Sequence, residues 1–307
     1  MISSIFSKTK PVNYLLLLGF LFFFYWAVHY FRIKRIYSLD EFLFWGFLLG
    51  ILLFSVFLVN FIVKRNQITG SNSYTMFYYV LLIAAFPEVM TDENAIPCSI
   101  FLLLAARRII SMKSLKNLKS KIFDATLYTA LASLFYDWAL LYLILVFVAI
   151  YFYEPKNIKN WLVPVTALCT VALIASGILI VIGIPDYLYS HYSFSLSLDR
   201  NFAALWSYSS KLILYAILLI LTGFLAFLKM GKLGLGRIIT VRLIAISASI
   251  GLLVTFLKSN ADVYPVLVTF FPGAILITKY VEVIKRQNVR ELVLIISALI
   301  PFVLLLL

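Results

Sequence analysis

The fold is decided by the stretch FPEVMTDENAIPCSIFLLLAARRIISMKSLKNLKSKIFDATLYTALASLFYDWALL, residues 86–141. It contains an acidic patch, an apolar run, a basic patch and a second apolar run, in that order. Cations beside membrane-crossing helices are retained on the cytoplasmic side. The stretch therefore predicts a hairpin that crosses a membrane twice, with its acidic patch outside and its basic patch, 107–121, inside.

The composition of the whole chain supports a membrane protein. Hydrophobic residues make up 64% of the 307 residues, charged residues 13%, and the mean hydropathy is +1.03. Soluble proteins are closer to half apolar and a quarter charged. No polar stretch is long enough to form a second core, so we expect one integral membrane domain over residues 1–307.

Apolar runs predict an all-α, polytopic transmembrane bundle of about eleven membrane segments. Two of these runs, 122–135 and 139–153, are too short for a bilayer core of about 30 Å, since fourteen helical residues rise only about 21 Å. Short segments of this kind are typical of a hairpin below a cavity or of helices buried in protein. The eleven runs are about 12–31, 42–63, 74–86, 96–110, 122–135, 139–153, 161–184, 210–228, 243–257, 263–277 and 292–307.

The charges of alternate loops predict the orientation. With the N-terminus inside, most of the 26 Lys and Arg residues fall in inner loops and most of the 13 acids fall in outer loops. The positive-inside rule then places the C-terminus outside. The net charge of +13 thus reflects membrane orientation, and no nucleic-acid partner is expected.

One predicted outer loop departs from this charge pattern. Arg32, Lys34 and Arg35 precede Asp40 and Glu41. The functional interpretation is a phosphate-binding basic group beside a catalytic carboxylate, because Arg can hold a phosphate by two hydrogen bonds and a carboxylate can act as general base. The alternative is that the cations reach lipid head groups and that the two acids begin a helix capped by Ser38.

Two further carboxylates are candidate catalytic residues. Glu88 follows Pro87 at the end of a short apolar run, and Asp137 lies between Tyr136 and Trp138 where two short runs meet. Either could face a water-filled cavity, or simply lie at the membrane surface. Asp124 is expected to pair with the basic patch that precedes it.

The sequence predicts no cofactor and no metal. Two histidines, His29 and His191, lack the spacing of a metal site, and no GxxxxGK, GxGxxG or GxSxG motif is present. Cys98 and Cys169 both lie in apolar runs, where we expect small buried hydrophobic residues and no disulfide.

Several phrases resemble a family of multi-pass inner-membrane proteins of the Bacteroidota that has no established catalytic residues. They cover most of the chain, and the resemblance implies a bacterial inner (cytoplasmic) membrane as the location. The phrases are SIFSKTKPVNYLLLL (4–18), NQITGSNSY (66–74), FPEV (86–89), LLLAARRIISMKS (102–114), KIFDA (121–125) and ALASLFY (130–136).

The chain also resembles the multi-pass glycosyltransferases that use polyprenyl-phosphate sugars, the C-type fold. The resemblance is carried by acids in the first outer loop, Asp40 and Glu41, and by the short-helix region 87–141. It departs from that pattern because a sizeable outer domain is missing. The resemblance implies sugar transfer from a polyprenyl-phosphate carrier at the outer face.

Two functions of different classes therefore stay open, with a carrier as a third. The first is a glycosyltransferase-like membrane enzyme whose partners are membrane lipids and a polyprenyl-phosphate sugar. The second is a non-catalytic structural or partner subunit of an envelope complex, such as a secretion or gliding apparatus, which would bind other envelope proteins. An outward cavity lined by Asp40 or Glu41 and open to lipid would favour the enzyme, and a filled core with an apolar lateral face would favour the subunit.

Overall fold

The computed structural model describes residues 2–32, 37–194, 206–228, 235–258 and 263–306. All the regular elements in these ranges are helical. They are α1 (Ile2–Phe6), α2 (Pro11–Ala27), α3 (Leu39–Asn66), α4 (Tyr74–Ala85), α5 (Ala95–Ser111), α6 (Leu118–Ser133), α7 (Leu143–Tyr153), α8 (Ile158–Ile182), α9 (Tyr187–His191), α10 (Trp206–Leu228), α11 (Leu235–Lys258), α12 (Phe270–Val283) and α13 (Gln287–Leu306).

The chain is a multi-pass membrane protein. Eight helices in the described ranges are long and apolar enough to cross a membrane: α2, α3, α5, α8, α10, α11, α12 and α13, some with a flanking turn. The apolar helices Tyr74–Ala85 and Asp137–Tyr153 are shorter than these eight. The prediction of an all-α bundle is confirmed. The described ranges contain eight candidate membrane-spanning helices, which does not support the predicted count of about eleven.

Two short helices form the centre of the bundle. Every residue of α4 is buried, and most of α12 is buried beside it. By contrast, α8 is mostly exposed, with Leu173 and Val181 among its open apolar side chains. An exposed apolar surface of this extent fits a helix whose neighbour is lipid, because lipid tails are as apolar as the side chains.

Three helices start after a break of the same form. An aromatic residue with extended or irregular backbone, Phe86, Tyr136 or Tyr264, precedes a 3₁₀ turn. Proline follows the aromatic residue in the first and third breaks, and proline suits the first position of a helix since its missing N–H would be unpaired there anyway. The three breaks lie at one end of the bundle, where Glu88, Asp92 and Asp137 also lie, and we call it the carboxylate end.

The opposite, basic end contains the loop between α5 and α6. Arg108 forms an ion pair with Asp124 at 2.9 Å, which confirms the predicted pairing of Asp124 with the basic patch. Lys121 donates to the Ser111 carbonyl and the Ser114 hydroxyl at 2.8 and 2.6 Å. These contacts close the turn between the two helices, so part of its positive charge has a structural use.

Two glycines allow helices of the core to approach closely. A Cβ at Gly251 would lie 2.7 Å from the Tyr142 hydroxyl, and a Cβ at Gly273 would collide with the Tyr215 hydroxyl. Neither contact can relax cheaply, because Tyr142 and Tyr215 are themselves buried and hydrogen-bonded to backbone carbonyls. Glycine is therefore required where α11 meets Tyr142 and where α12 meets α10.

The cysteine prediction is confirmed for one residue and wrong for the other. Cys98 is buried in α5, whereas Cys169 is exposed on α8. The error has a physical reason: an apolar run can face lipid as well as a protein core, and composition alone does not separate the two surroundings.

Candidate functional site

The carboxylate end contains three buried acids, Glu88, Asp92 and Asp137. Their exposed fractions are 8%, 4% and 1%. Buried carboxylates are costly unless hydrogen bonds or cations compensate them, so their partners determine what they can do. Each of the three has a different set of partners.

Asp92 joins three segments of the chain. Its Oδ1 accepts from the backbone N–H groups of Asn94 and Ala95 at 3.0 and 3.2 Å, at the start of α5. Its Oδ2 accepts from the Tyr136 hydroxyl at 2.5 Å and from the Tyr264 N–H at 2.6 Å. Asp92 thus binds all three breaks together, and four donors around one carboxylate indicate a structural role.

Glu88 forms a buried ion pair with the first turns of α10. The Lys211 ammonium lies 2.6 Å from Glu88 Oε1, and the side chains of both residues are 9% exposed. The same ammonium lies over the Phe86 ring, 5.7 Å from its centroid. Lys211 therefore has an acceptor on one side and an aromatic face on another, and the pair is held in a largely water-free place.

Asp137 forms the third buried arrangement, with Lys258 at the end of α11. The ammonium lies 2.9 Å from Asp137 Oδ1. Asp137 Oδ2 has no hydrogen-bond partner within the described ranges. Because Lys258 is about a quarter exposed, water can reach the cation but not the carboxylate.

The short helix α9 lies beside Asp137. His191 Nε2 donates to the Ser133 carbonyl at 2.8 Å, and the Tyr192 hydroxyl is hydrogen-bonded to the Ser133 hydroxyl at 2.8 Å. Burial raises the pKa of Tyr192 above its usual value, the Asp137 charge adds to this rise, and the bond to Ser133 opposes it. Since the Ser133 hydroxyl donates to the Ala130 carbonyl at 2.7 Å, the Tyr192 hydroxyl donates its one proton to Ser133.

A lateral groove begins at Lys211, which lines it, whereas its partner Glu88 is not among the lining residues. It has a volume of about 420 Å³, lies between α4, α10, α12 and α13, and opens on the side of the bundle. From Lys211 to Thr222 the groove follows α10 for about 16 Å, at 1.5 Å per residue. That is about half of a bilayer core of about 30 Å, the depth of one leaflet.

The groove is apolar along its length and charged at one end. Its walls include Leu82 of α4, Leu214 and Leu218 of α10, Ile277 of α12 and Ile300 of α13. Lys211 is the one cation among its lining residues. The groove therefore matches an amphiphile with a long apolar chain and an anionic head.

The predicted acids of the first outer loop lie elsewhere. Ser38 is the N-cap of α3, its hydroxyl accepts from the Glu41 N–H, and Glu41 Oε2 accepts from the Ser38 N–H at 3.0 Å. Asp40 is exposed in the same turn. This is the helix-start interpretation of the two acids, and neither lines the lateral groove.

The predicted phosphate-binding cations cannot be placed in the same way. Arg32 ends a π-helical turn, Val28–Arg32, that continues α2. Lys34 and Arg35 lie outside the described residues. The structure therefore brings Glu88 together with Lys211, and separately Asp137 with Lys258, but it places Asp40 and Glu41 in the cap of α3.

Sequence reasoning missed the partners of the buried acids. From the sequence alone, Lys211 and Lys258 are only two of the cations near predicted outer loops, and Asp92 is only one member of the acidic patch. A usable signal was the recurrence of an aromatic residue before each break, at Phe86, Tyr136 and Tyr264. No comparable signal assigns a lysine to a carboxylate more than a hundred residues away.

No protein-family model, curated protein or solved structure matches the chain. Within the described ranges, no group of three or more His, Cys, Asp or Glu residues is placed to hold a metal ion.

Proposed function

We propose that this chain is an inner-membrane glycosyltransferase-like protein that binds a polyprenyl-phosphate-linked sugar in the lateral groove. The observation that carries the proposal is the apolar groove of about 420 Å³ with the buried Lys211 ammonium at its end. A polyprenyl chain is apolar throughout and its phosphate is anionic. The groove would take the first part of the chain, and Lys211 would bind the phosphate.

Charge supports this choice of occupant over a neutral lipid. A lysine ammonium has three donors, and Glu88 takes one of them. Within the described residues, no second hydrogen-bond acceptor contacts Lys211. A phosphate oxygen arriving through the groove would supply that acceptor in surroundings where a charge-assisted hydrogen bond is strong.

The same pair would supply the chemistry of sugar transfer. An acceptor hydroxyl attacks the anomeric carbon, and its proton passes to the Glu88 carboxylate, which acts as general base. The bond from the anomeric carbon to the phosphate oxygen breaks, and the oxygen leaves with the electron pair. Lys211 stabilises the added negative charge of the polyprenyl phosphate. Asp137, Asp40 and Glu41 are the other carboxylates that a transfer assay has to compare.

Binding in the groove is tested by filling it. A Leu218→Trp variant, which places a large ring among the lining side chains, is expected to lose binding of polyprenyl phosphate to the purified protein, measured by native mass spectrometry. A Lys211→Met, Glu88→Gln variant removes the phosphate contact without leaving a buried charge, and we expect about a tenfold to hundredfold weaker binding, from the strength of hydrogen bonds to charged groups.

Two controls make this binding test specific. Leu173→Trp makes the same exchange on the exposed face of α8 and should bind like the natural chain. Polyprenol, which lacks the phosphate, should bind the natural chain weakly and should be insensitive to the change at Lys211. Equal binding of polyprenyl phosphate to the natural chain and to Leu218→Trp would refute the groove as its site.

We further infer eleven membrane segments with the N-terminus in the cytoplasm and the C-terminus outside. The separation of charge supports this topology, since the buried acids share one end of the bundle and the cations Arg108, Lys113 and Lys121 share the other. Reporter tags on the two termini are expected on opposite sides of the membrane. Both tags in the cytoplasm would show that the count of segments is even.

A second candidate function is the non-catalytic subunit of an envelope complex. Two buried acids favour it. Asp137 is 1% exposed and paired with Lys258, and the four hydrogen-bond donors around Asp92 indicate a structural role for that residue. Under this function, cells carrying Glu88→Gln would make normal glycans, and the protein would co-purify with a fixed set of envelope proteins. Altered glycans in those cells would favour the enzyme.

A further inference from the structure

We infer a second ligand site at the basic end of the bundle, a cavity that binds a phosphate-bearing anion. The cavity has a volume of about 630 Å³ and lies between the end of α3, the loop that follows it, α11 and α12. It is separate from the lateral groove, which starts at the carboxylate end. The proposed topology places it on the cytoplasmic side.

Cations from three helices converge on this cavity. Lys64 near the end of α3, Arg237 at the start of α11 and Lys279 of α12 all line it. A fourth cation, Lys113, donates to the Asn66 carbonyl at 2.9 Å, directly behind the lining loop. Segments distant in sequence thus bring three cations to the cavity lining and a fourth cation behind it.

One carboxylate, that of Glu282, lies close to these four cations and offsets part of their charge. Glu282 accepts from the Gly70 N–H at 2.6 Å and from Asn72 Nδ2 at 2.7 Å, while Lys279 lies 3.8 Å from its other oxygen. Four positive charges and one negative charge leave a net charge of about +3 around the cavity. A cavity with this excess attracts anions, because concave low-dielectric walls focus the field.

The loop at the cavity is shaped by Glu282 and adds neutral donors. A Cβ at Gly70 would lie 3.1 Å from Glu282 Oε1, so a side chain there would displace the carboxylate that orders the loop. The neighbours Thr69 and Ser71 also line the cavity, and the Thr69 hydroxyl donates to the Gly70 carbonyl at 3.4 Å. Arg237 Nη2 donates to Gln67 Oε1 at 3.2 Å, which leaves its other N–H groups for a ligand.

Phosphate is the anion that this donor set suits. Arg binds phosphate through paired N–H groups, lysine adds point charges, and hydroxyl groups donate to the remaining oxygens. The volume exceeds that of a single phosphate, so the ligand carries a further polar group. It is either the head group of an anionic lipid of the adjacent leaflet or a soluble phosphorylated molecule.

The two sources are separated by two measurements on the full-length protein. Inorganic pyrophosphate is titrated into the protein in a neutral detergent, and binding is followed by calorimetry. In a second arm, the protein is placed in nanodiscs that contain phosphatidylglycerol and phosphatidylcholine, and the retained lipids are counted by native mass spectrometry. Pyrophosphate binding identifies a soluble ligand, and selective retention of phosphatidylglycerol identifies a lipid head group.

Variants that remove positive charge from the cavity test whether the anion binds there. Arg237→Gln with Lys279→Gln is expected to weaken the binding seen in either arm about a hundredfold, roughly tenfold for each cation removed. Lys64→Gln is expected to weaken it about tenfold, and since Lys64 is exposed this variant folds even if the double variant does not. The matched control is Lys156→Gln with Lys159→Gln, an equal change of charge on exposed residues, one in the α7–α8 loop and one in the first turn of α8, at the same end.

Binding that the cavity variants retain overturns the proposal. Binding in one arm, lost in the cavity variants and kept in the control, supports it. No binding of pyrophosphate together with no preference for phosphatidylglycerol overturns it. An equal loss in the Lys156, Lys159 control also overturns it, because the effect would then be general attraction by the basic surface. Neither result bears on the lateral groove.

Discussion

A Glu88→Gln variant is expected to transfer sugar from a polyprenyl-phosphate donor about 10²–10⁴ times more slowly than the natural chain. This is the usual loss when a general base is removed. Glutamine has the same shape and its amide oxygen can still accept from the Lys211 ammonium, so the packing at the groove is retained. The measurement is the initial rate of transfer by the purified protein in liposomes that contain the donor and a labelled acceptor.

The control for this rate comes from the same segment. Glu93 is exposed, and Glu93→Gln should leave the rate unchanged. An Asp40→Ala, Glu41→Ala variant tests the carboxylates that the sequence placed beside a basic group. If that variant loses transfer while Glu88→Gln keeps it, the base lies at the start of α3 and the assignment to Glu88 is wrong.

Replacing Asp92 by alanine is expected to lower the free energy of unfolding by about 4 kcal/mol or more. Hydrogen bonds to a charged group contribute about 1.5–3 kcal/mol each, and four donors lose their acceptor at once, although such losses are not additive. The buried Tyr136 hydroxyl is left with a desolvation cost. Unfolding by SDS in mixed micelles measures the change.

Two further variants test whether Asp92 stabilises the fold through its hydrogen bonds. Tyr136→Phe removes one of the four donors and should cost about 1.5–3 kcal/mol. Glu93→Ala changes the adjacent acid, which is exposed, and should stay within about 0.5 kcal/mol. A loss for Asp92→Ala no larger than that for Glu93→Ala would mean that Asp92 does not hold the three breaks together.

The helices of this protein could be predicted from its sequence because lipid imposes a simple rule. Every backbone polar group inside a bilayer has to be satisfied within the helix, so apolar runs report helices directly. The predicted break at Tyr136–Trp138 agrees with the 3₁₀ turn Asp137–Tyr142, and Ser38 caps α3 as the helix-start alternative required. These features depend on neighbours in the sequence.

The partners of the buried carboxylates could not be predicted in this way. The Glu88–Lys211 and Asp137–Lys258 pairs join helices far apart in the chain, and their geometry depends on how α10 and α11 pack against the centre. Periodicity tells which residues are apolar, but not which helices become neighbours. The lateral groove has the same origin, since its walls come from α4, α10, α12 and α13.

Cross-linking of a photoactivatable polyprenyl phosphate tests the lateral groove most directly. The lipid carries a diazirine near the phosphate and is irradiated with the protein in liposomes, and the modified peptides are identified by mass spectrometry. We expect modification of α10 near Lys211 and Leu214 and of α13 near Ile300, suppressed by unlabelled polyprenyl phosphate but not by polyprenol. Modification spread evenly over the exposed apolar surface, including α8, with no suppression by polyprenyl phosphate, would contradict a specific site in the groove.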